Sequence, residues 1–163
     1  MGFKFGMIAA ASALLLAACS EEPPAADASA NAGSQAAAVD TSTLQYFQQT
    51  VGDRVFFTTD SSRLTAVGQQ TLQRQAAWLT QNAGVNVVVE GHADERGTRE
   101  YNLALGARRA ESARAYLIGQ GVAANRIRTI SYGKERPEAL CSSESCWTQN
   151  RRAVSVIAGA PTS

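Results

Sequence analysis

Val85-Asn86-Val87-Val88-Val89-Glu90-Gly91-His92-Ala93-Asp94-Glu95-Arg96-Gly97-Thr98 opens the stretch that decides how this chain folds. Its valines alternate as a buried strand does, and the strand ends in Glu90-Gly91. A charged turn containing Gly97 follows. The next pattern is helical from about Thr98 to Gly119, with Gln120-Gly121 closing it. Leu103, Gly106, Ala110, Ala113 and Leu117 recur at three- and four-residue steps, which predicts the core-directed face of that helix. At about 100° per residue, Asn102 and Arg109 fall within roughly 20° of each other and about 10 Å apart along the axis. Asp94 stands at the strand's exit and Arg109 two turns into the helix. A ligand lying across this corner meets a carboxylate at one end and a guanidinium at the other. A zwitterion suits such a site.

Upstream, Leu44 to Val51 predicts a short helix, and Arg54-Val55-Phe56-Phe57 a short strand followed by the polar loop Thr58 to Ser62. Leu64, Gly68, Leu72, Ala76 and Leu79 mark one face of a first long helix. It ends near Asn82-Ala83-Gly84, where Gly84 is expected to supply a left-handed stop. Downstream, Arg126 to Tyr132 predicts a third strand. Pro137 and a loop bearing Cys141 and Cys146 come next, and Ala153 to Ala158 predicts the last strand. Strands alternating with helices give an α/β (α+β) fold, a two-layer sandwich with two main helices on one face of a small mixed β-sheet. The chain shows no internal repeat.

The 163 residues carry 15 basic and 14 acidic side chains, so no basic footprint points to nucleic acid. Lys4 precedes an apolar Ala/Leu-rich run from Met7 to Ala18, the length of a signal-peptide core rather than a membrane span. Leu16-Ala17-Ala18-Cys19 resembles the box cut before cysteine by lipoprotein signal peptidase. Ser20, rather than Asp, follows that cysteine, a pattern that resembles sorting to the outer membrane. Residues 1–18 are thus expected to be the signal peptide, with Cys19 the lipidation site. Residues 19–43 form the tether, 44–158 the folded domain and 159–163 a tail. The tether is rich in Ala, Ser, Pro and acids and too poor in large apolar residues to fold. It reaches roughly 25 Å as a coil and up to about 75 Å when stretched. Two or more acyl chains on Cys19 make a durable anchor where one does not. The expected location is the outer membrane, facing the periplasm.

Cys141 and Cys146 would meet oxidising conditions in an exported chain, so a disulfide between them is expected. Closing so short a loop stabilises a fold by roughly 2 kcal/mol on the chain-entropy model. A metal site is the weaker alternative, because the chain has a single histidine and no further ligands at useful spacing. No cofactor is implied.

Catalysis finds little support. Asp94 and Glu95 are adjacent, and neighbours in an extended or turn segment point apart rather than converging on one bond. No nucleophile–histidine arrangement can be assembled around His92, which reads as a structural residue hydrogen-bonding locally near the strand end. Arg108 reads as part of a solvated helix face. Arg109 lies near the core edge, where a guanidinium needs a partner. Either Arg109 pairs internally with Asp94, or both groups hold a ligand.

Gly91-His92-Ala93-Asp94-Glu95-Arg96-Gly97-Thr98, then Tyr101-Asn102, Leu105-Gly106, Arg108-Arg109-Ala110, Ser131-Tyr132-Gly133 and Asn150-Arg151-Arg152-Ala153-Val154 together resemble the OmpA-like peptidoglycan-binding domain family. The likeness covers about residues 44–158 and is strongest to the lipid-anchored members of the Tol-Pal system. It implies a binding protein, not an enzyme, that grips the meso-diaminopimelate of the peptidoglycan stem peptide. Asp94 takes the ligand's ammonium and Arg109 its carboxylate, and Asn102 and Leu105 shape the pocket. Related lipoproteins commonly carry Asp directly after the aromatic of the preceding loop. Here Thr58 stands in that place, whereas Asp60 is retained. The resemblance further implies a partnership with the periplasmic β-propeller TolB, through a surface overlapping the peptidoglycan site, and a part in envelope constriction at division. Alternatives are an OmpA-like wall anchor outside that system, such as a motility or secretion accessory, and a murein hydrolase.

Overall fold

The computed structural model describes residues 40–158. The expected signal peptide, Cys19, the expected tether up to residue 39 and the expected tail 159–163 lie outside the described residues. The chain first forms α1 (Leu44–Tyr46), which winds on into a wider π-type turn, Phe47–Gly52. Then come β1 (Arg54–Phe56), α2 (Ala66–Gln81), β2 (Asn86–His92) and α3 (Arg99–Gly119). A 3-10 turn (Ala124–Arg126), β3 (Ile127–Gly133), α4 (Glu144–Asn150) and β4 (Arg152–Ala158) complete the fold. The sheet runs β1-β4-β2-β3. β2 and β3 are parallel and joined through α3, while β4 is antiparallel to both β1 and β2. This is the expected mixed α/β sandwich.

The alternation of β2 sends Val87 and Val89 into one core with Val55, Ala153 and Ile157 of the sheet, where Leu72, Ala76 and Leu79 of α2 and Ala110, Ala113 and Leu117 of α3 meet them. Thr65 and Thr98 cap α2 and α3, their hydroxyls accepting the amides of Gly68 and Tyr101 at 3.0 and 3.2 Å. The cap at Thr65 explains why α2 begins at Ala66 and not at Leu64. Trp78 of α2 donates its indole N–H to the carbonyl of Thr41 at 2.6 Å, which ties the chain's entry into the domain to the core.

β2 and α3 approach closely because two glycines face each other. A Cβ on Gly91 would lie 1.8 Å from the Gly106 carbonyl oxygen. No side chain fits at that crossing.

Four expectations need correction. Gly84 is not left-handed. The end of α2 is satisfied instead by Asn82, whose side chain donates to the Trp78 carbonyl at 2.8 Å, and by Arg126, which donates to the carbonyls of Leu79 and Asn82 at 3.0 and 2.9 Å. Leu103 is not on the core stripe but 49 % exposed. At its level the α3 backbone packs directly on the edge strand, the Ser131 hydroxyl donating to the Leu103 carbonyl at 2.6 Å, so its side chain hangs past the sheet. The buried face of α3 takes in the polar Asn102 and Arg109 instead. Third, the segment after Pro137 is not loop throughout, since Glu144–Asn150 is helical. Fourth, the His92 ring makes no local hydrogen bond. It is buried against Tyr132, ring centroids 5.6 Å apart, and neither nitrogen finds a hydrogen-bond partner among the described residues, with Glu90 Oε2 standing off at 3.7 Å from Nε2.

Candidate functional site

Three segments converge at the carboxyl end of β2: the loop after β1, the turn Asp94–Gly97, and the first turns of α3. The loop is shaped by Asp60, which sits in the left-handed region at φ 54°, a conformation that Asp tolerates better than most residues. Its carboxylate accepts the Tyr101 hydroxyl, which ties the loop to α3. The turn is held by Asn102, whose side-chain amide donates to the Arg96 carbonyl at 2.8 Å, and Gly97 completes it at φ +90°. Thr59, Asp60, Asp94, Arg96, Gly97, Tyr101, Asn102 and Leu105 line a depression of about 330 Å³.

Asp94 is nearly buried and already paired. Arg96 approaches it through Nη2 at 2.8 Å, Nε at 3.3 Å and its backbone amide at 3.1 Å, and Arg151 through Nη1 at 3.2 Å. Burial pushes the carboxyl's pKa up, but the hydrogen bonds from Arg96 and Arg151 outweigh it and hold Asp94 below the usual carboxylate range. The two cations differ in freedom. The Arg96 side chain is 41 % exposed and that of Arg151 only 4 %. Arg96 can turn outward into water, whereas Arg151 is fixed.

Arg109 is fully buried and does not line the depression. It donates Nε to the Ser61 carbonyl at 2.8 Å, Nη1 to that of His92 at 2.8 Å and Nη2 to that of Thr58 at 3.2 Å. Among the described residues no carboxylate lies within ion-pair distance of it; Asp94 pairs with Arg96 and Arg151 instead. Burial lowers its pKa to about 10, against the pull of Asp94, so it stays cationic at neutral pH. Three of its five N–H groups are thus spent on carbonyls, leaving two for an incoming acceptor.

Of the six residues expected to form the site, the depression gathers Asp60, Asp94, Asn102 and Leu105 in its wall. Arg109 is not part of it. Thr58 contributes a carbonyl to Arg109 and lines the neighbouring groove beside β1 rather than this depression. Arg108 is exposed, as a solvated helix face requires. The sequence reading missed Arg96, Tyr101 and Arg151 as neighbours of the site. Arg151 had a signal available, since an arginine pair at a strand entrance is rarely free of an acidic partner.

A larger groove of about 580 Å³ runs beside β1, between the start of α2 and α4. Its two charged members, Arg54 and Arg151, are both committed to carboxylates, at Asp53 and Glu138 and at Asp94 and Glu144. It gathers no set of convergent polar groups. The smaller depression is therefore the candidate site. Among the described residues no group of three or more His, Cys, Asp or Glu side chains is placed to hold a metal ion.

The sequence model of the OmpA family matches residues 56–152. The peptidoglycan-associated lipoprotein of Mesorhizobium japonicum is 63 % identical over 116 residues, 71 % of this chain and 69 % of that protein. The protein of the same name from Rhizobium meliloti is 57 % identical over 131 residues, 80 % of this chain and 74 % of that one. Among solved structures, the peptidoglycan-associated lipoprotein from Burkholderia pseudomallei superposes with a TM-score of 0.65 at 39 % identity, over 68 % of this chain and 95 % of that one. The C-terminal domain of Helicobacter pylori MotB superposes with a TM-score of 0.59 at 25 % identity, over 64 % and 83 %.

Proposed function

The chain belongs to the OmpA family, and from that premise we propose that it is an outer-membrane lipoprotein that binds peptidoglycan non-covalently. The bound group is meso-diaminopimelate, and lipid at Cys19 holds the other end in the membrane. The shared name of the relatives at 57–63 % identity supports association with the wall. Work within the Tol-Pal system, with TolB as partner and a role in constriction at division, follows from the same likeness. Binding rather than catalysis is the activity.

One observation carries the reading. A fully buried guanidinium, bonded to carbonyls alone, sits on the same helix as Asn102 and Leu105, which line a depression that presents Asp60 and Asp94, and both carboxylates act on its charge. A buried cation is stabilised most by an anion, and the depression offers room for one. In this reading the ligand's carboxylate takes the two spare N–H groups of Arg109 and displaces the Thr58 carbonyl, which at 3.2 Å is the longest of its three bonds. The ligand's ammonium takes Asp94 as Arg96 turns outward. Asn102 and Leu105 close the floor. Thr58 lacks the charge of an aspartate but, until the ligand displaces it, holds Arg109 through its carbonyl, a role that any residue's backbone can fill.

Two experiments test the proposal. A diaminopimelate-containing muropeptide titrated into the chain should shift the amide resonances of residues 59–61, 94–97 and 102–105; shifts confined to the groove beside β1 would refute this site. Mass spectrometry should find lipid on Cys19 of the native protein, and an unmodified mature Cys19 would refute the anchor.

A further inference from the structure

The two arginines that hydrogen-bond Asp94 share a support. Helix α4 is seven residues long and contains Cys146, which is disulfide-bonded to Cys141 just ahead of it. So short a helix is marginal in water by itself, and the bond closes its entrance. From α4 the indole N–H of Trp147 donates to Glu95 at 3.1 Å, and the Trp147 ring lies 4.2 Å from the Arg96 guanidinium. Arg151, directly after the helix, donates to Asp94 at 3.2 Å and to the Phe57 carbonyl at 3.3 Å. Glu144, in the helix's first turn, clasps Arg151 from behind.

Resting on the reading of this depression as the diaminopimelate site, we propose that the disulfide-closed helix α4 is its positioning element. Trp147 and Arg151 are the positioning residues that set the orientation and charge of Asp94. Trp147 gives the exposed Arg96 a stacking surface on which to rest while it pairs with Asp94. The same surface sits within reach once the ligand's ammonium displaces it. Arg151, which cannot leave, keeps the carboxylate aimed into the depression in both states.

The charged groups around Asp94 are Arg96 and Glu95 of its own turn, Arg151 with its partner Glu144 at α4, Arg109 on α3, Asp60 across the depression, and Lys134, whose ammonium donates to the Glu95 and Gly97 carbonyls of the same turn. Loosening α4 removes the support of both arginines that hydrogen-bond the carboxylate. Burial, which raises its pKa, is then less opposed.

The test uses the full chain purified in detergent, with Cys141→Ser/Cys146→Ser, Trp147→Ala and Trp147→Phe variants checked by circular dichroism. Calorimetry measures affinity for a soluble disaccharide tetrapeptide carrying meso-diaminopimelate. NMR follows the carboxyl carbon of Asp94 through its titration without ligand. The double serine variant and Trp147→Ala should bind roughly tenfold more weakly, and in both the Asp94 titration should move to higher pH. Trp147→Phe, which keeps a ring beneath Arg96, should lie between native and alanine. An Asp94 titration unmoved in both the serine and the alanine variants overturns the proposal, whatever happens to affinity, because support of the fold alone would leave it in place. If Asp94→Ala binds the muropeptide as the native chain does, the site reading fails instead, and the ligand-free titration still decides the role of α4.

Discussion

Replacing Gly91 by alanine probes the contact on which both fold and site depend. The new Cβ falls 1.8 Å from the carbonyl oxygen of Gly106, 2.6 Å from its carbonyl carbon and 3.2 Å from the Cβ of Ala110. The two nearest atoms are backbone, so no rotamer change relieves the clash. Ordinary contact begins near 3.4 Å. The strand and helix must therefore separate by roughly 1.5 Å to restore normal van der Waals spacing. Overpacking a core costs about 1–3 kcal/mol, and a backbone clash belongs at the upper end. A loss of about 3 kcal/mol lowers the melting temperature of a domain this size by on the order of 10 °C. Lifting α3 also moves Asn102, Leu105 and Arg109 away from the turn after β2, so binding should weaken with stability. Gly84→Ala is the control, since nothing lies within 4 Å of its added carbon and its φ is not positive. Its effect should stay within about 0.5 kcal/mol. Thermal unfolding of the two variants side by side decides the matter. If Gly91→Ala melts within a degree or two of Gly84→Ala, the close approach does not limit the packing of α3 on β2.

Two further outcomes are expected. Burial, with the Arg152 charge adding to it, holds His92 at about 4 in the folded chain, against 6.5 ordinarily. The unfolded state therefore binds the extra proton first, and stability should be level above about pH 6.5 and fall as pH drops toward 4, by up to about 3 kcal/mol. Urea midpoints measured across that range should show the slope, and His92→Phe should flatten it; an equal slope in the variant assigns the effect to other groups. The disulfide should leave no thiol to label at Cys141 or Cys146 in non-reduced protein. Reduction should lower the melting temperature modestly, by the equivalent of about 2 kcal/mol, and stoichiometric labelling would refute the bond.

Much of this was legible because periodicity reports burial. The alternation of Val87 and Val89, and the spacing of Gly68, Leu72, Ala76 and Leu79, predict the layers that the structure shows. The stripe on α3 was read with the wrong first member. Apolar spacing admits Leu103 and rejects Asn102 and Arg109, yet the polar pair is buried because backbone carbonyls and the Asp94–Gly97 turn satisfy it. Gly84 misled for a related reason: the carbonyls it was expected to serve are met by Arg126, 42 residues later in sequence than Gly84 and beyond any local rule. Helix α4 was missed because its seven residues, polar apart from the adjacent Cys146 and Trp147, have no apolar stripe to show. At the candidate site, charge and spacing single out Asp94 and Arg109. The alternative of a bond between the two is not realised, because Asp94 pairs with Arg96 and Arg151, which reach it from its own turn and from the far end of the chain.

The central claim, a two-charge clamp for diaminopimelate, is tested most directly by sacculus binding of three variants. Asp94→Ala and Arg109→Ala each leave a charge unpaired beside the ligand, a loss of roughly 2–5 kcal/mol. Each should weaken binding by at least about 30-fold, at about 1.4 kcal/mol per decade. Arg108→Ala removes an exposed cation one residue away and should change binding little. If Arg108→Ala and Arg109→Ala, both correctly folded, weaken binding equally, the clamp is wrong and unspecific attraction to the anionic wall takes its place.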